Sequence, residues 1–436
     1  MSQPTRRQFL GTSAAAGFGL LAARASAQAP TVSPNEKITV GLIGCGGIGK
    51  VDLDTFFLNA EVDCPVVCDV DTNNFAKAVE LVEARRGHKP DTVTDFHRVL
   101  DRNDIDVVLV ATPDHWHALP MVLACQAGKD VYVEKPLGQC IDEGRAMLEA
   151  VKQNKRIAQM GTQWRSGEHY GDAVKFIHSG KLGKIRMVRT WAYLDWVGGI
   201  GNPPDQEPPQ GVDYDFWLGP APKRPFNPNR FHFNFRWYWD YAGGLMTDWG
   251  VHLLNICLWG MGREVPKRVS SVGGKYVVED NTETPDTQAT IYEFPSYNLI
   301  FEQEMVGGLG PGGRPHGMLF NGEEGTVIID DSGWEIIPEP KKKSLEAKKF
   351  DSVTDGRPKH IRNFLDCVKS REEPVENMEV GHFVSTVAHL GNLALRSGAE
   401  VHWDNEAEKV TNNPKADALV GRTYRTPWEL PYARRG

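Results

Sequence analysis

Several things are scarce in this chain. No apolar run in the 436 residues reaches the roughly 20 that a membrane-spanning helix needs. There is no internal repeat and no low-complexity tract. Acids outnumber bases, 57 to 49, and the densest basic run is only Lys341-Lys342-Lys343, which reads as a solvated loop. A nucleic-acid partner is therefore excluded as an expectation. Seven cysteines are too few for a disulfide scaffold at this length. Cys64 and Cys68, separated by Pro65-Val66-Val67 in an apolar run, lack redox or zinc spacing and read as buried thiols. His232, Asp248 and His252 find no further ligand at a characteristic spacing, so no metal is expected. What remains is ordinary globular composition, 40% apolar and 24% charged, long enough for two domains.

The first 27 residues read as an export signal. Thr5-Arg6-Arg7-Gln8-Phe9-Leu10 precedes a small-residue apolar run, Gly11 to Ala23, and Ala25-Ser26-Ala27 offers a cleavage site. The paired arginines point to the twin-arginine route. Cleavage would remove Arg6, Arg7 and Arg24 but no acid, leaving a more acidic mature chain in the periplasm or beyond. That route carries folded proteins, which suits a protein that must acquire a nucleotide before export. Residues 28–36 read as a polar linker.

Lys37 to Ile43 is a partly β-branched apolar run that predicts a buried strand. Gly44-Cys45-Gly46-Gly47-Ile48-Gly49 follows at once, and Lys50 to Asn59 continues as a helix. This is G-x-G-x-x-G between strand and helix. The first glycine permits the tight turn, the second a close pyrophosphate, and the third close packing of helix on strand. Ile48 lies inside the same loop. The next strand, Glu61 to Cys68, ends at Asp69, 25 residues beyond Gly44. An acid there would accept hydrogen bonds from both ribose hydroxyls and repel a 2′-phosphate, favouring NAD over NADP. Strands and helices then alternate: Ile105 to Ala111, stopping at Thr112-Pro113-Asp114-His115-Trp116-His117, and Val131 to Val133, stopping at Glu134-Lys135-Pro136. Alternation predicts a doubly wound parallel sheet, whose ligands sit beyond the carboxyl ends of the strands. Gly44–Gly49, Asp69, Thr112–His117 and Glu134–Pro136 all fall at such ends. We place this α/β domain at residues 37–155.

Residues 156–436 form the second domain. Ile185 to Tyr193 alternates as an antiparallel strand with one buried face would. Residues 198–229, rich in proline and glycine, predict an ordered loop whose Phe216, Trp217 and Phe226 favour a packed lid. Asp286 to Glu304 and Pro315 to Pro338 read as hairpins of a mainly antiparallel sheet. Between them Tyr241 to Asn255 predicts a helix with Asp248 and His252 on one face. Eight of the twelve tryptophans lie between Trp164 and Trp259, and aromatics stack well on sugar rings. Trp164 and Arg165, at the end of a strand, are candidates to hold such a ring, with Tyr241 nearby.

With Gly44–Gly49, Thr112–His117, Glu134-Lys135-Pro136 and Asp248-x-x-x-His252 in this order, the chain resembles the Gfo/Idh/MocA oxidoreductases over roughly residues 36 to 430. The resemblance implies a Rossmann domain followed by an α/β domain with an open, mainly antiparallel sheet that often forms the oligomer interface. It places the family lysine on Lys135, the aspartate on Asp248 and the histidine on His252. Cofactor contacts are expected from Gly44, Gly46, Gly47, Ile48, Gly49, Asp69, Thr112, Pro113, His115, His117, Glu134 and Lys135. Substrate contacts are expected from Trp164, Arg165, Tyr241, Asp248 and His252. The implied activity is hydride transfer between a sugar or glycoside carbon, C3 among the open positions, and tightly held NAD. His252 is the base, Lys135 stabilises the alkoxide, and Asp248 binds a neighbouring hydroxyl or orients the other two. An NAD-dependent glycosidase and a non-catalytic sugar-binding protein stay open as alternatives.

Overall fold

The computed structural model describes residues 36–196, 199–354 and 356–434; the twin-arginine motif and its cleavage site lie outside them. From Ile38 onward the chain builds two sheets. The first has six parallel strands: β1 (Ile38–Ile43), β2 (Val62–Cys68), β3 (Asp91–Val93), β4 (Val107–Val110), β5 (Asp130–Val133) and β6 (Ala158–Met160). Their order is β3-β2-β1-β4-β5-β6. Every residue of β4 and β5 is buried, as strands covered on both faces require. The carboxyl ends align, since the chain continuing from each strand donates to its neighbour's end: Gly44 N to Cys68 O (2.9 Å), Ala111 N to Ile43 O (2.9 Å) and Glu134 N to Val110 O (2.9 Å). The four motifs therefore meet along one edge of the sheet.

Two boundaries differ from the sequence expectation. The sixth strand extends the parallel sheet to Met160, beyond residue 155. The helix Arg357–Ser370 also returns to this half, packing Ile361, Phe364 and Leu365 into the core formed by Leu53, Phe56 and Tyr132. That destination depends on a partner some 300 residues earlier in the chain, which no local pattern reveals.

The second sheet has ten strands: β7 (Met187–Tyr193), β8 (Arg268–Gly274), β9 (Thr287–Glu293), β10 (Asn298–Glu304), β11 (His316–Asn321), β12 (Gly325–Asp330), β13 (Gly333–Pro338), β14 (Lys348–Asp351), β15 (Val401–Asp404) and β16 (Lys409–Val410). All pairings are antiparallel except one. β7 pairs antiparallel with β11 but parallel with β10, so the strand expected to be purely antiparallel makes the sheet mixed. The helices Gly250–Met261 and Met378–Ser397 pack against each other and onto this sheet, giving the α/β layering expected of the second half.

The long loop is pinned to the first sheet. Thr72 N donates to Gly211 O (2.9 Å), Asp213 N to Val70 O (2.9 Å), and Asp71 and Val212 form an isolated bridge. Trp217 and Phe226 are buried, so this segment packs as a lid beside the strand ends.

Candidate active site

A cleft of about 780 Å³ opens between the strand ends and the lid. One wall is the glycine loop. Gly44 has φ +98°, and a side chain there would drive its Cβ to 2.5 Å from the Ala111 carbonyl oxygen. At Gly49 a Cβ would collide with the Gly44 carbonyl, so helix and strand touch backbone to backbone. Gly46 and Gly47 differ: a Cβ there would meet nothing within 4 Å, and both face the cleft. The helix Gly47–Phe56 starts there with no side chain capping it. Free backbone N–H groups beside an open surface are what a pyrophosphate needs. Lys50 steadies the turn, donating to the carbonyls of Cys45 (2.7 Å) and Gly46 (2.9 Å).

Asp69 lines the cleft but is more committed than expected. It accepts from Cys45 N (2.8 Å), Asp71 N (2.8 Å) and Asn74 Nδ2 (3.1 Å). A carboxylate offers about four acceptor sites. Asp69 thus ties the glycine loop to the loop after β2 and retains room for one hydroxyl, not two. Its negative charge still opposes a 2′-phosphate.

Thr112, Pro113, His117, Glu134 and Lys135 also line the cleft. Thr112 Oγ1 is buried without a hydrogen-bond partner among the described residues, while the Glu134 carboxyl pairs with that of Asp52. The orphaned Thr112 hydroxyl, the uncapped helix and the open glycines all fit a dinucleotide. His117 sits between the carbonyls of Pro136 (2.8 Å) and Thr112 (2.9 Å), bracing the two strand-end motifs. His115 does not belong to this wall. Its ring is buried against Trp217 and Tyr241, with Nε2 2.9 Å from the Trp217 carbonyl, because successive residues of the 3₁₀ turn Asp114–Trp116 point about a third of a turn apart.

Lys135, Asp248 and His252 converge on the cleft. Lys135 Nζ donates to Asp248 Oδ1 (2.5 Å) and to the Asp248 carbonyl (3.2 Å). The expected helix is interrupted at Trp249, between Gly244–Asp248 and Gly250–Met261, yet both side chains keep one side. Burial alone would raise the Asp248 carboxyl; Lys135 and Arg236 more than offset this and hold it well below the usual carboxylate range. Burial, then the Lys135 cation, pushes His252 well below the usual imidazole range, so it is neutral. Its Nδ1 is buried with no partner among the described residues. The centre therefore holds a charged lysine–aspartate pair beside a neutral imidazole.

Two expected substrate residues lie elsewhere. Arg165 turns away from Trp164 in the turn Gln163–Ser166, donating to Asn255 Oδ1 (2.9 Å) and lying over the Trp259 ring (4.9 Å). With Asn255 bonded to Glu376 (2.7 Å), it braces the helix Gly250–Met261 from behind. Tyr241 is fully buried, packed on Trp217 and His115, and does not line the cleft. Trp164 does line it, with its ring 5.0 Å from that of His252.

Sequence reasoning missed three charged neighbours in the cleft wall, Arg236, Arg357 and Asp114. Arg236, on the lid segment His232–Trp237, places Nε 3.4 Å from Asp248 Oδ1. The same segment is fixed at its start by His232, 2.8 Å from Asp71. Arg357 reaches the cleft from the late helix and donates to buried Asp52 (2.5 Å). Burial and the neighbouring Glu134 push Asp52 up. Asp114 lines the cleft almost fully buried; burial and the Asp248 charge push it up to about 8. Only Asp114 had a sequence signal, its place in the strand-end motif Thr112–His117.

A parallel sheet in 3-2-1-4-5-6 order, with an open glycine loop at its carboxyl edge, places the chain among the dinucleotide-binding α/β proteins. More narrowly, the chain belongs to the Gfo/Idh/MocA oxidoreductase family. Residues 38–162 match the model described as "Oxidoreductase family, NAD-binding Rossmann fold", and residues 166–292 and 326–430 match its "C-terminal alpha/beta domain". NAD is thus the cofactor of this fold, as the glycine loop and Asp69 suggested. Among curated relatives, the chain is 32% identical over 174 residues to a levoglucosan dehydrogenase of Pseudarthrobacter phenanthrenivorans, covering 38% of this chain and 44% of that protein. It is 29% identical over 210 residues to a glycosyl hydrolase family 109 protein of Saccharopolyspora erythraea, covering 44% of this chain and 46% of that one. The chain thus spans less than half the length of these relatives. In fold it is similar to levoglucosan dehydrogenase solved with NADH and levoglucosan (TM-score 0.65, 18% identity, 84% of this chain and 99% of that one). It is also similar to the WlbA dehydrogenase of Bordetella pertussis with NADH and UDP-GlcNAcA (TM-score 0.62, 20% identity, 84% and 99%).

Proposed function

We propose that this protein oxidises a ring carbon of a sugar or glycoside, C3 being one position open to it, with NAD as hydride acceptor. The carrying observation is the convergence of Lys135, Asp248 and His252 on the cleft that the glycine loop opens into. Neutral His252 takes the hydroxyl proton. Lys135, aimed by its 2.5 Å bond to Asp248, stabilises the negative charge growing on that oxygen. Of the two roles open to Asp248, that bond favours orienting the lysine over binding a substrate hydroxyl. The relatives support a carbohydrate substrate, one being a levoglucosan dehydrogenase. Mass spectrometry of nucleotide released from the purified protein, followed by a glycoside panel, tests the reading. A carbonyl product with NAD reduced is expected; turnover surviving in both Lys135→Ala and His252→Ala would sink the mechanism.

A second reading, net glycoside hydrolysis through transient oxidation, elimination and addition of water, is supported by Asp114. A carboxyl held protonated near neutral pH can give a proton to a departing glycosidic oxygen. The family 109 relatives point the same way. Aglycone release without net NADH would select it. Sugar binding with no redox change in the nicotinamide would instead favour a non-catalytic binding protein.

For the remaining biology, we propose twin-arginine export and self-association through the ten-stranded sheet, where Val272 and Ile291 are exposed. Periplasmic fractionation of an Arg6→Lys/Arg7→Lys variant and sedimentation of the mature protein test these two points. We take residues 1–27 as the signal.

A further inference from the structure

Four aromatic side chains line the substrate side of the cleft in a row: Trp164, Trp249, Trp196 and Phe233. Successive ring centroids are 5.9, 6.0 and 5.5 Å apart. The inner end is buried and touches the reacting centre, because Trp164 lies against His252. The outer end is open: Trp196 is 41% and Phe233 49% exposed. Phe233 is held from behind by the Arg236 guanidinium, 4.7 Å from its ring centre. Arg236 Nε is itself buried without a hydrogen-bond partner among the described residues, next to Asp248.

The spacing decides what this wall can hold. Each centroid step is about the width of one sugar ring. A ring reacting at His252 would meet Trp249 and the edge of Trp164, whose ring is already stacked with Tyr170 and His316, and would leave Trp196 and Phe233 bare. Large aromatics exposed together inside a cleft mark a surface that a ligand covers.

We propose that Trp196 and Phe233 form a second ring subsite, so that the substrate is a glycoside whose second ring presents a flat apolar face, rather than a free monosaccharide. This rests on the sugar-oxidising reading of the His252 centre. The second ring is either another sugar or an aryl group; both offer the same apolar face. The edge-to-face geometry of the Trp196–Phe233 pair (79° between planes) gives it two surfaces at a corner, one to take the face of the second ring and one its edge.

The experiment uses the purified protein with its own nucleotide. It compares kcat/KM for a monosaccharide, its methyl glycoside, a disaccharide and a 4-nitrophenyl glycoside of the same sugar. Substrates with a second ring should exceed the methyl glycoside by about tenfold, the scale of one good aromatic contact. Trp196→Ala and Phe233→Ala should collapse that ratio toward one, while Trp196→Phe keeps most of it. Trp196→Leu and Phe233→Leu, which keep apolar bulk without a ring, replace any alanine variant whose melting temperature shows misfolding. A wild-type ratio below about two, or a ratio preserved in both alanine and leucine variants, overturns the subsite. The disaccharide and aryl arms separate the two sources of ring. Titration of tryptophan fluorescence with the nitrophenyl glycoside reads the subsite without turnover. If no arm gives a carbonyl product yet this binding is lost in the Trp196 variants, the oxidising reading fails and the subsite stands.

Discussion

The two walls of the cleft are made in different ways. The cofactor wall is built round backbone, a short stretch in which glycines remove side chains from the path, with Asp69 and Thr112 beside it. The substrate wall is side chain, assembled from Trp164, Trp196, Phe233 and Asp248, which reach the cleft from four separate segments. A backbone wall fails by obstruction: an added atom meets rigid backbone, as at Gly44, or takes the open space a nucleotide needs, as at Gly46. A side-chain wall fails by subtraction, one group at a time, while the fold survives. Substitutions on either side should therefore differ in kind.

The largest effect is expected on the backbone wall. Gly44→Val combines φ +98°, which β-branched residues avoid, with a Cβ driven into the Ala111 carbonyl. Strain of several kcal/mol, roughly the sum of such penalties, should lower the melting temperature and abolish NAD binding together. Gly46→Ala, where a Cβ meets no protein atom, should leave the melting temperature of the nucleotide-free protein unchanged and weaken NAD in calorimetry. Equal melting-temperature losses in the two variants would erase the distinction drawn between the packed and the open glycines.

On the side-chain wall, His252→Ala and Lys135→Ala should each lower kcat by about 10²- to 10⁴-fold, the range for a lost proton acceptor or a lost charge-stabilising donor. NAD affinity should change far less, since the glycine loop is untouched. Asp248→Asn leaves Lys135 without its ionic partner; its kcat should fall less than that of Lys135→Ala. A Lys135→Ala protein with wild-type kcat would remove the lysine from the chemistry and leave it only an ion-pair partner.

That difference also governs what could be read in advance. The glycine loop, Asp69 and the alternation of strand and helix were legible because each depends on residues close together in the chain; the strand order, which sets β1 beside β4, was not read in advance. Lys135, Asp248 and His252 were legible by resemblance and by the four-residue spacing of the last two. Arg236 and Arg357 were not, since they reach the cleft from a lid segment and a late helix without any spacing signal. His115 and Arg165 were misplaced for one reason: successive residues of a short 3₁₀ turn point about a third of a turn apart, and no pattern says which faces the cleft; Tyr241, before the helix, turns into the Trp217 cluster instead. The carboxylate of Asp69 was correctly placed, yet its bonds to the loop backbone depend on a turn at Asp71–Asn74 that composition does not show.

Asp114 offers a smaller, pH-dependent test. Its folded value of about 8 lies above the ordinary aspartate value of about 3.9. Below about pH 4 both folded and unfolded chains hold this proton, and no penalty arises. As pH rises toward 8 the unfolded chain has released it while the folded one keeps it, so stability falls, reaching the full penalty above 8. Asp114→Asn removes the titration. In the nucleotide-free protein the variant should gain stability over wild type as pH rises from 4 to 8. The gain should reach a few kcal/mol, accumulating at no more than about 1.4 kcal/mol for each pH unit crossed. Denaturant melts at pH 5 and pH 8.5 measure it; a gain equal at both values would show that burial there does not hold the proton.

The smallest effect is expected where the sequence pointed but the structure does not. Tyr241 precedes the glycine pair of the catalytic segment, yet its ring is fully buried against Trp217 and its hydroxyl has no hydrogen-bond partner among the described residues. A buried hydroxyl without a partner contributes nothing by its oxygen and costs its own desolvation. Tyr241→Phe keeps the ring contacts and should therefore leave kcat and KM within about twofold of wild type, with stability unchanged or raised by about 1 kcal/mol. Tyr241→Ala removes the ring and should cost about 3 to 5 kcal/mol, as other buried aromatics do. If Tyr241→Phe lowered kcat tenfold at unchanged stability, the hydroxyl would have to reach the substrate during turnover. The lid residue Trp217 would then have to move off the Tyr241 ring, and the side-chain wall would extend one residue further than its resting form shows.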